Sequence, residues 1–126
     1  MAWVNRQSPK GPEIFYDHIG YFVHDLNQAG HQLEKLGFQI SDTNIQYNED
    51  ADGILQRTHT SNKLAKLNLG FIEVLAATGK SPLANQLTNM LERYQGLHVI
   101  ALTNADINAT AKRLAAAGLE MQDPAH

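Results

Sequence analysis

The sequence predicts an α+β fold in which a βαβββ unit is followed by the first strand and helix of a second unit. The main observation is an internal repeat, because residues 18–40 align with residues 99–121 without a gap at a shift of 81 positions. The shift pairs Asp25 with Asp106, and each aspartate stands where a helix should begin. A repeat of this kind indicates that one structural unit occurs twice.

The composition is typical of one soluble globular domain and excludes several kinds of chemistry. The chain has 126 residues, 43% of them hydrophobic, and a formal net charge of −3, which provides no basic surface for nucleic acid. It has no cysteine, so disulfides, thiolate metal ligands and a cysteine nucleophile are excluded. No apolar run is long enough to span a membrane, and the first residues lack the pattern of a secretory signal. We therefore expect a cytoplasmic protein without nucleic-acid or membrane partners.

The first unit is predicted at residues 14–82, after a polar tail at residues 1–13. Residues 14–24 are rich in β-branched and aromatic types, which favours a strand. A helix follows, with Asp25 as its N-terminal cap and Gly37 just after its last turn. Apolar residues at helical spacing between these two positions support the helix.

The rest of the first unit alternates polar and apolar segments. A short second strand is expected at residues 38–41, a polar loop at residues 42–53 and a further strand at residues 54–59. Residues 63–76 predict the most definite strand, because apolar residues alternate along them. One face of that strand is predicted to carry Leu67, Leu69, Phe71, Glu73 and Leu75.

A connecting helix and an incomplete second unit are predicted for the remainder. The helix lies within residues 83–95, and Gly96 ends it. Residues 96–126 then repeat the opening strand and its capped helix. A complete second unit would extend about 50 residues past His126, so we expect this sequence to hold only part of the machinery.

Four segments resemble glyoxalase-like domains of the vicinal oxygen chelate superfamily, with some likeness to methylmalonyl-CoA epimerase. They are DHIGYFVHDL (17–26), KLGF (35–38), FIEVLAATGKSPLANQL (71–87) and GLHVIALTNADINATAKRLAAAGLE (96–120). Together they cover most of residues 14–120. The resemblance implies a curled mixed sheet with helices on its outer face, and paired units that enclose a small-molecule site.

The resemblance also implies metal ligands early in the first strand and on the fourth strand of each unit. In the first unit these positions are His18 and Glu73. Imidazole and carboxylate together suit a divalent Zn, Ni, Fe, Co or Mn ion, which would hold neighbouring oxygens of a substrate and stabilise an enediolate or oxyanion. Glu73 interrupts an apolar face, where an unpaired carboxylate is costly. The alternatives are a structural, hydrogen-bonded His18 and a salt-bridged or solvated Glu73.

The second unit supplies a weaker set of ligands. The counterpart of His18 is Val99, and the nearby His98 lies one residue early. Because a one-residue offset along a strand reverses the direction of the side chain, His98 is a doubtful ligand unless a β-bulge changes the register. The fourth ligand position falls beyond His126. Zinc and iron sites use three or more protein ligands, so His18 and Glu73 alone are too few.

Three functions therefore remain open. The first is a metal-dependent lyase, isomerase or dioxygenase, and the second is a metal-free module that binds a small molecule, as in antibiotic-sequestering members of the superfamily. Val99 favours the second. The third is a fragment whose site is completed by a missing segment or a partner chain. Because a lone curled sheet has open edges and an exposed apolar face, we expect either a longer natural protein or a homodimer formed by strand exchange.

Overall fold

The computed structural model describes residues 6–121 and confirms the predicted fold class. Five strands and three helices follow one another in the predicted order. The strands are β1 (Ile14–Phe22), β2 (Asn44–Glu49), β3 (Leu55–Lys66), β4 (Phe71–Ala77) and β5 (Gly96–Asn104). The helices are α1 (Leu26–Lys35), α2 (Pro82–Leu91) and α3 (Ile107–Ala116). Residues 1–5 of the predicted tail and residues 122–126 of the predicted second unit lie outside the described residues.

The five strands form one mixed sheet in the order β2-β3-β4-β1-β5. Strand β1 is parallel to β4 and antiparallel to β5, and the other pairs are antiparallel. A parallel pair needs a long crossover, and α1, β2 and β3 provide it. The first strand of the chain is therefore an inner strand of the sheet, with a neighbour on each side.

The internal repeat appears in the sheet as an approximate twofold relation between β1 and β5. Ile19 pairs with Ile100, its own counterpart under the shift of 81 positions. On either side of this pair, His18 faces Ala101 and Gly20 faces Val99. The first strands of the two repeated units therefore lie side by side, with the pair Ile19 and Ile100 at the centre of the twofold relation.

The two helix caps are equivalent, as the repeat predicts. The side chain of Asp25 accepts a hydrogen bond from the backbone N–H of Gln28, and that of Asp106 accepts one from Ala109, each at 2.9 Å. Gly37 follows α1 with a φ of 97°, a left-handed conformation that favours glycine. Each such cap stabilises its helix by about 1 kcal/mol.

The prediction for residues 38–53 was wrong in two respects. Residues 38–41 form no strand, only an isolated bridge between Ile40 and Ala65. The predicted loop contains β2, which pairs with β3 as a hairpin. Its sequence NIQYNE does alternate, but the side chains that a typical strand buries are polar here. The functional site explains those polar residues, as described below.

The predicted strand at residues 63–76 is interrupted by a turn. Residues 63–66 belong to β3, residues 67–70 form the turn, and β4 begins at Phe71. Gly70 adopts a φ of 75° there, and its carbonyl accepts a hydrogen bond from the backbone N–H of Leu67. The apolar Leu67 and Leu69 thus resembled strand residues, but they lie in the turn.

The helices pack on both faces of the sheet, which differs from the expectation that all lie on the outer face. Helix α1 packs on the outer face, which we define by Val74 and Ala76. Helix α2 packs on the opposite, inner face, where Leu87 and Leu91 contact Phe22. Because α2 carries its own apolar stripe, it covers one end of the inner face, next to Leu75 and Ala77 of β4.

Strand β5 is an edge strand within residues 6–121, and several apolar side chains of β5 and of the helix that follows it face solvent. Ile100 and Leu102 are more than half exposed, and so is Ile107 at the start of α3, a helix without buried residues. The open edge and these side chains form the kind of surface on which the predicted homodimer depends. None of the helices in this described part of the chain has the length and apolarity that crossing a bilayer requires.

The turn at Gly70 provides a test of the fold. A Cβ atom on Gly70 would lie 2.3 Å from the carbonyl oxygen of Asp17, whereas one on Gly37 would meet nothing within 4 Å. Both glycines have a positive φ, so Gly37→Ala isolates the cost of that conformation, about 1–2 kcal/mol. We expect Gly70→Ala to lower the free energy of unfolding by about 3 kcal/mol or more. Urea denaturation measures both values, and equal losses would contradict the close contact between Gly70 and Asp17.

Candidate functional site

Strands β1 and β4 bring His18 and Glu73 together at the centre of the inner face. In the parallel register His18 lies beside Phe71, and Gly20 lies beside Glu73. The two side chains therefore meet on a diagonal, with Nε2 of His18 3.5 Å from Oε2 of Glu73. Their side chains are 22% and 15% exposed, so both are partly open to solvent above the sheet.

The separation of these two atoms fits the coordination of one divalent ion. Two ligand atoms that each lie about 2.1 Å from a tetrahedral ion are about 3.4 Å apart. The observed 3.5 Å between His18 Nε2 and Glu73 Oε2 is close to that value and long for a charge-assisted hydrogen bond. Imidazole nitrogen and carboxylate oxygen are also the donor types that zinc, nickel, iron, cobalt and manganese accept. The pair can therefore hold part of the coordination shell of such an ion.

The His18 ring is held by two further contacts. Its Nδ1 atom lies 2.7 Å from Oδ2 of Asp17, and its face stacks on Phe71 with the ring centroids 4.4 Å apart. The preceding residue on a strand normally points to the other face. Asp17 reaches the ring because it lies at a β-bulge, where Tyr16 pairs with Leu102 and the next paired residue is His18. The sequence analysis did not identify Asp17, since the bulge depends on β5.

One oxygen of the Glu73 carboxylate is fully occupied by amides. Oε1 accepts a hydrogen bond of 2.6 Å from Nδ2 of Asn62 and a longer one of 3.3 Å from Nε2 of Gln46. Oε2 is left facing His18. Glu73 is thus neither solvated at a strand end nor paired with a lysine or arginine within residues 6–121. It is a hydrogen-bonded carboxylate with one free oxygen.

A second bulge, on β3, supports Gln46. Ile45 pairs with Ser61 and Tyr47 with Arg57, so three residues of β3 lie opposite Gln46 alone. The Oγ1 atom of Thr60, which is fully buried, donates to Oε1 of Gln46 at 2.6 Å. The Oγ1 atom of Thr58 lies 2.7 Å from that of Thr60 and 3.0 Å from the backbone carbonyl oxygen of Gln46. The polar residues of β2 and β3 therefore form one network that ends at Glu73.

A third β-bulge lies at His98. His98 was a doubtful ligand unless such a bulge changed the register of its strand, so its position in the structure decides the question. Gly20 pairs with Val99 and Tyr21 with Leu97, which leaves His98 unpaired on β5. The bulge turns the ring onto the face of Phe22, with the ring centroids 5.0 Å apart. The ring does not join the His18–Glu73 pair. It stacks on Tyr94 at 4.2 Å, and its Nε2 atom lies 2.9 Å from the carbonyl oxygen of Tyr94, to which it donates.

The remaining positions add no third ligand. Val99, the counterpart of His18, covers Gly20 on the inner face, since a Cβ atom on Gly20 would lie 3.0 Å from that of Val99. His59 has a φ of 56° in the β3 bulge and lies against Gly79, while His31 faces solvent beside Glu34. No group of three or more histidine and acidic side chains suited to a metal occurs within residues 6–121.

Two of the cavities within residues 6–121 border the centre of the sheet, and neither is lined by His18 or Glu73. One of about 170 Å³ opens between α2 and the inner face, with Phe22, Leu75 and Val99 among its apolar walls. The larger, of about 600 Å³, lies on the outer face between α1 and the sheet. The larger cavity has mainly apolar walls, and no pair of metal-ligating side chains lines it within residues 6–121. The possible metal ligands His18 and Glu73 lie on the inner face instead.

This fold is that of a glyoxalase-like domain. The chain belongs to the glyoxalase-like domain family, whose model matches residues 16–125. The match confirms the predicted membership of the vicinal oxygen chelate superfamily. No curated protein matches the chain in sequence.

Solved structures with the same fold include two hypothetical proteins and an epimerase. A hypothetical protein from Staphylococcus aureus is 20% identical with a TM-score of 0.65, over 89% of this chain and 45% of its own. A hypothetical protein from Bacillus halodurans is 20% identical with a TM-score of 0.64, over 87% of this chain and 72% of its own. The methylmalonyl-CoA epimerase of Mycobacterium tuberculosis is 22% identical with a TM-score of 0.62, over 88% of this chain and 69% of its own. The chain thus spans less than half of the Staphylococcus aureus protein, and these likenesses describe the fold.

The bond between Asn62 and Glu73 gives a second test. Asn62→Asp replaces the amide donor with another carboxylate, so we expect a loss of about 2–3 kcal/mol of unfolding free energy at pH 8. In the folded variant the carboxylates at positions 62 and 73 repel each other, and one of them can relieve the repulsion by binding a proton. The unfolded chain has no such repulsion, so the loss of unfolding free energy should shrink as the pH falls towards 4. Asn48→Asp makes the same charge change on the exposed part of β2 and should cost little. Urea denaturation at both pH values measures this, and equal losses in the two variants would contradict the contact.

Proposed function

We propose that this chain supplies a divalent-metal site to a lyase, isomerase or dioxygenase of the glyoxalase type. The observation that carries the proposal is the 3.5 Å between His18 Nε2 and Glu73 Oε2, which suits two ligands of one ion. Family membership supports the same pair, since both residues lie at the positions that the resemblance indicated. The ion would be zinc, nickel, iron, cobalt or manganese, and the donor set does not select among them.

The proposed roles follow from the contacts of each side chain. His18 provides Nε2 and Glu73 provides Oε2, while Asn62 and Gln46 keep the other carboxylate oxygen turned away. Glu73 would therefore bind through one oxygen. When bound, such an ion supplies Lewis-acid chemistry, holding two neighbouring oxygens of a small substrate and stabilising negative charge on them.

Two protein ligands leave the shell incomplete, so we also propose that further ligands come from another segment or a second copy of the chain. Within residues 6–121 the twofold counterpart of His18 is Val99, which cannot bind a metal. The open edge of β5 and the exposed Ile100 and Leu102 beside it favour a homodimer, formed by strand exchange. A shared site would then bind one ion per pair of chains.

One observation favours a metal-free binding module as a second candidate. Val99 lies on the inner face beside an apolar cavity that also contacts Phe22 and Leu75. Apolar walls next to the polar network of Glu73 and Asn62 suit a small molecule with one apolar and one polar side. Such a module would bind its ligand through shape and hydrogen bonds. Retention of a small organic molecule by metal-free protein after purification would support it.

Elemental mass spectrometry of the purified protein tests the main proposal. We expect about one transition-metal ion per chain or per pair of chains, or uptake of that amount when Zn²⁺, Ni²⁺, Mn²⁺ or anaerobic Fe²⁺ is offered. Glu73→Gln removes the carboxylate charge while keeping an amide that can still bond to its neighbours. This variant should lose most of the bound metal.

A matched pair of aromatic substitutions provides the control. His18→Phe keeps a ring that can stack on Phe71 and should abolish metal binding, because its nitrogen is lost. His98→Phe keeps a ring that can stack on Phe22 and should leave metal binding nearly unchanged. Loss of metal in the His98 variant alone would contradict the assigned ligands. No metal and no uptake in the parent protein would contradict the enzyme proposal and favour the binding module.

A further inference from the structure

We propose that Asp17 is a positioning residue that fixes His18 in the tautomer with the proton on Nδ1, which leaves Nε2 free towards Glu73. The inference rests on the proposed metal function and adds a residue to it that neither the family resemblance nor the sequence pattern assigned. Asp17 would touch neither substrate nor metal, and it would act only through the ring of His18.

The two ring nitrogens of His18 lie at unequal distances from their carboxylate neighbours. Both ring nitrogens of His18 face a carboxylate, Nδ1 at 2.7 Å from Asp17 and Nε2 at 3.5 Å from Glu73. A hydrogen bond between a ring N–H and a carboxylate is about 2.7–2.9 Å long. Only the Asp17 contact has that length, and a neutral imidazole carries one N–H. The proton therefore belongs on Nδ1, and the lone pair of Nε2 faces Oε2 of Glu73.

A lone pair opposite a carboxylate oxygen is unfavourable without a cation between them. No hydrogen bond joins Nε2 of His18 to Oε2 of Glu73. The other nitrogen of the ring is bonded to Asp17, and the other oxygen of the carboxylate is bonded to Asn62. Histidines that bind metals commonly donate their second ring N–H to a carboxylate, which orients the ring and raises its basicity. Asp17 accepts such a bond from His18, and Asn62 orients Glu73 in a similar way by donating to its Oε1 atom.

Two restraints together determine the orientation of the ring. Stacking on Phe71, with an angle of 10° between the rings, fixes the plane of the imidazole. Stacking alone would permit a half-turn of the ring about the Cβ–Cγ bond, which places Cδ2 where Nδ1 was and Cε1 where Nε2 was. The bond to Asp17 opposes that half-turn, because it would replace a nitrogen donor with a ring carbon. Asp17 thus keeps Nε2 of His18, rather than the ring carbon Cε1, towards Glu73.

The backbone around Asp17 is itself tightly held. The β-bulge frees Asp17 from pairing with β5, so its side chain can reach the following residue. On the other side its carbonyl oxygen lies against Gly70, where a Cβ atom would come within 2.3 Å. The turn before β4 therefore fits against the bulge in β1. This fit keeps the Asp17 carboxylate at the edge of the ring, a placement that an unrestrained surface aspartate would not maintain.

The test combines tautomer and metal affinity in the full chain. Long-range ¹H–¹⁵N correlation spectra of metal-free protein at alkaline pH report which nitrogen of His18 is protonated. We expect the proton on Nδ1 in the parent and on Nε2, or in exchange between both, in Asp17→Ala. The affinity for Zn²⁺, measured by competition with a chelator, should fall about 10–100-fold in that variant. Asp17→Asn, whose amide oxygen can still accept the bond, should lie between the two.

Asp42→Ala is the control, because it removes an exposed negative charge outside the site and should change neither measurement. A proton on Nε2 in the parent, or an unchanged tautomer in Asp17→Ala, would overturn the inference. A purely structural role for Asp17 would lower the melting temperature without moving the tautomer, and that result also counts against it. A tautomer that responds to Asp17 in a protein that binds no Zn²⁺ would support the role of Asp17 while contradicting the proposed metal function.

Discussion

The inner face of the sheet is organised around the need to hydrogen-bond the carboxylate of Glu73. A largely buried carboxylate costs several kcal/mol unless protein groups replace its water. Asn62 and Gln46 do so on one oxygen, and Thr58 and Thr60 hold Gln46 in turn. This requirement explains why β2 places the polar Gln46 on the inner face and why β3 carries a bulge, features that would weaken an ordinary sheet.

The same constraint extends to β1 and its neighbours. Parallel pairing with β4 sets His18 on the diagonal from Glu73, and antiparallel pairing with β5 places the twofold relation at Ile19 and Ile100. The two halves are alike in register but not in chemistry, because the position matched to His18 holds Val99. The two strands thus share one register, but the side chains at their matched positions differ in chemistry.

The sequence predicted those features that depend on local signals or on the repeat. The caps at Asp25 and Asp106 and the order of elements follow from it. It failed at β2, whose inward residues are polar to serve Glu73, and at residues 67–70, where two leucines lie in a turn. The roles of Asp17, Asn62 and Gln46 depend on bulges, which form only when neighbouring strands are in place. His98 shows the same limit, since its direction was decided by a bulge.

The most direct measurement is anomalous X-ray diffraction from crystals grown with Zn²⁺, recorded on both sides of the zinc absorption edge. If His18 and Glu73 are ligands of one ion, we expect an anomalous peak about 2.0–2.2 Å from both Nε2 of His18 and Oε2 of Glu73. The Oε1 atom of Glu73 should still be bonded to Asn62. A peak bound at other side chains, or none on the inner face, would contradict the assignment of this pair as the metal site.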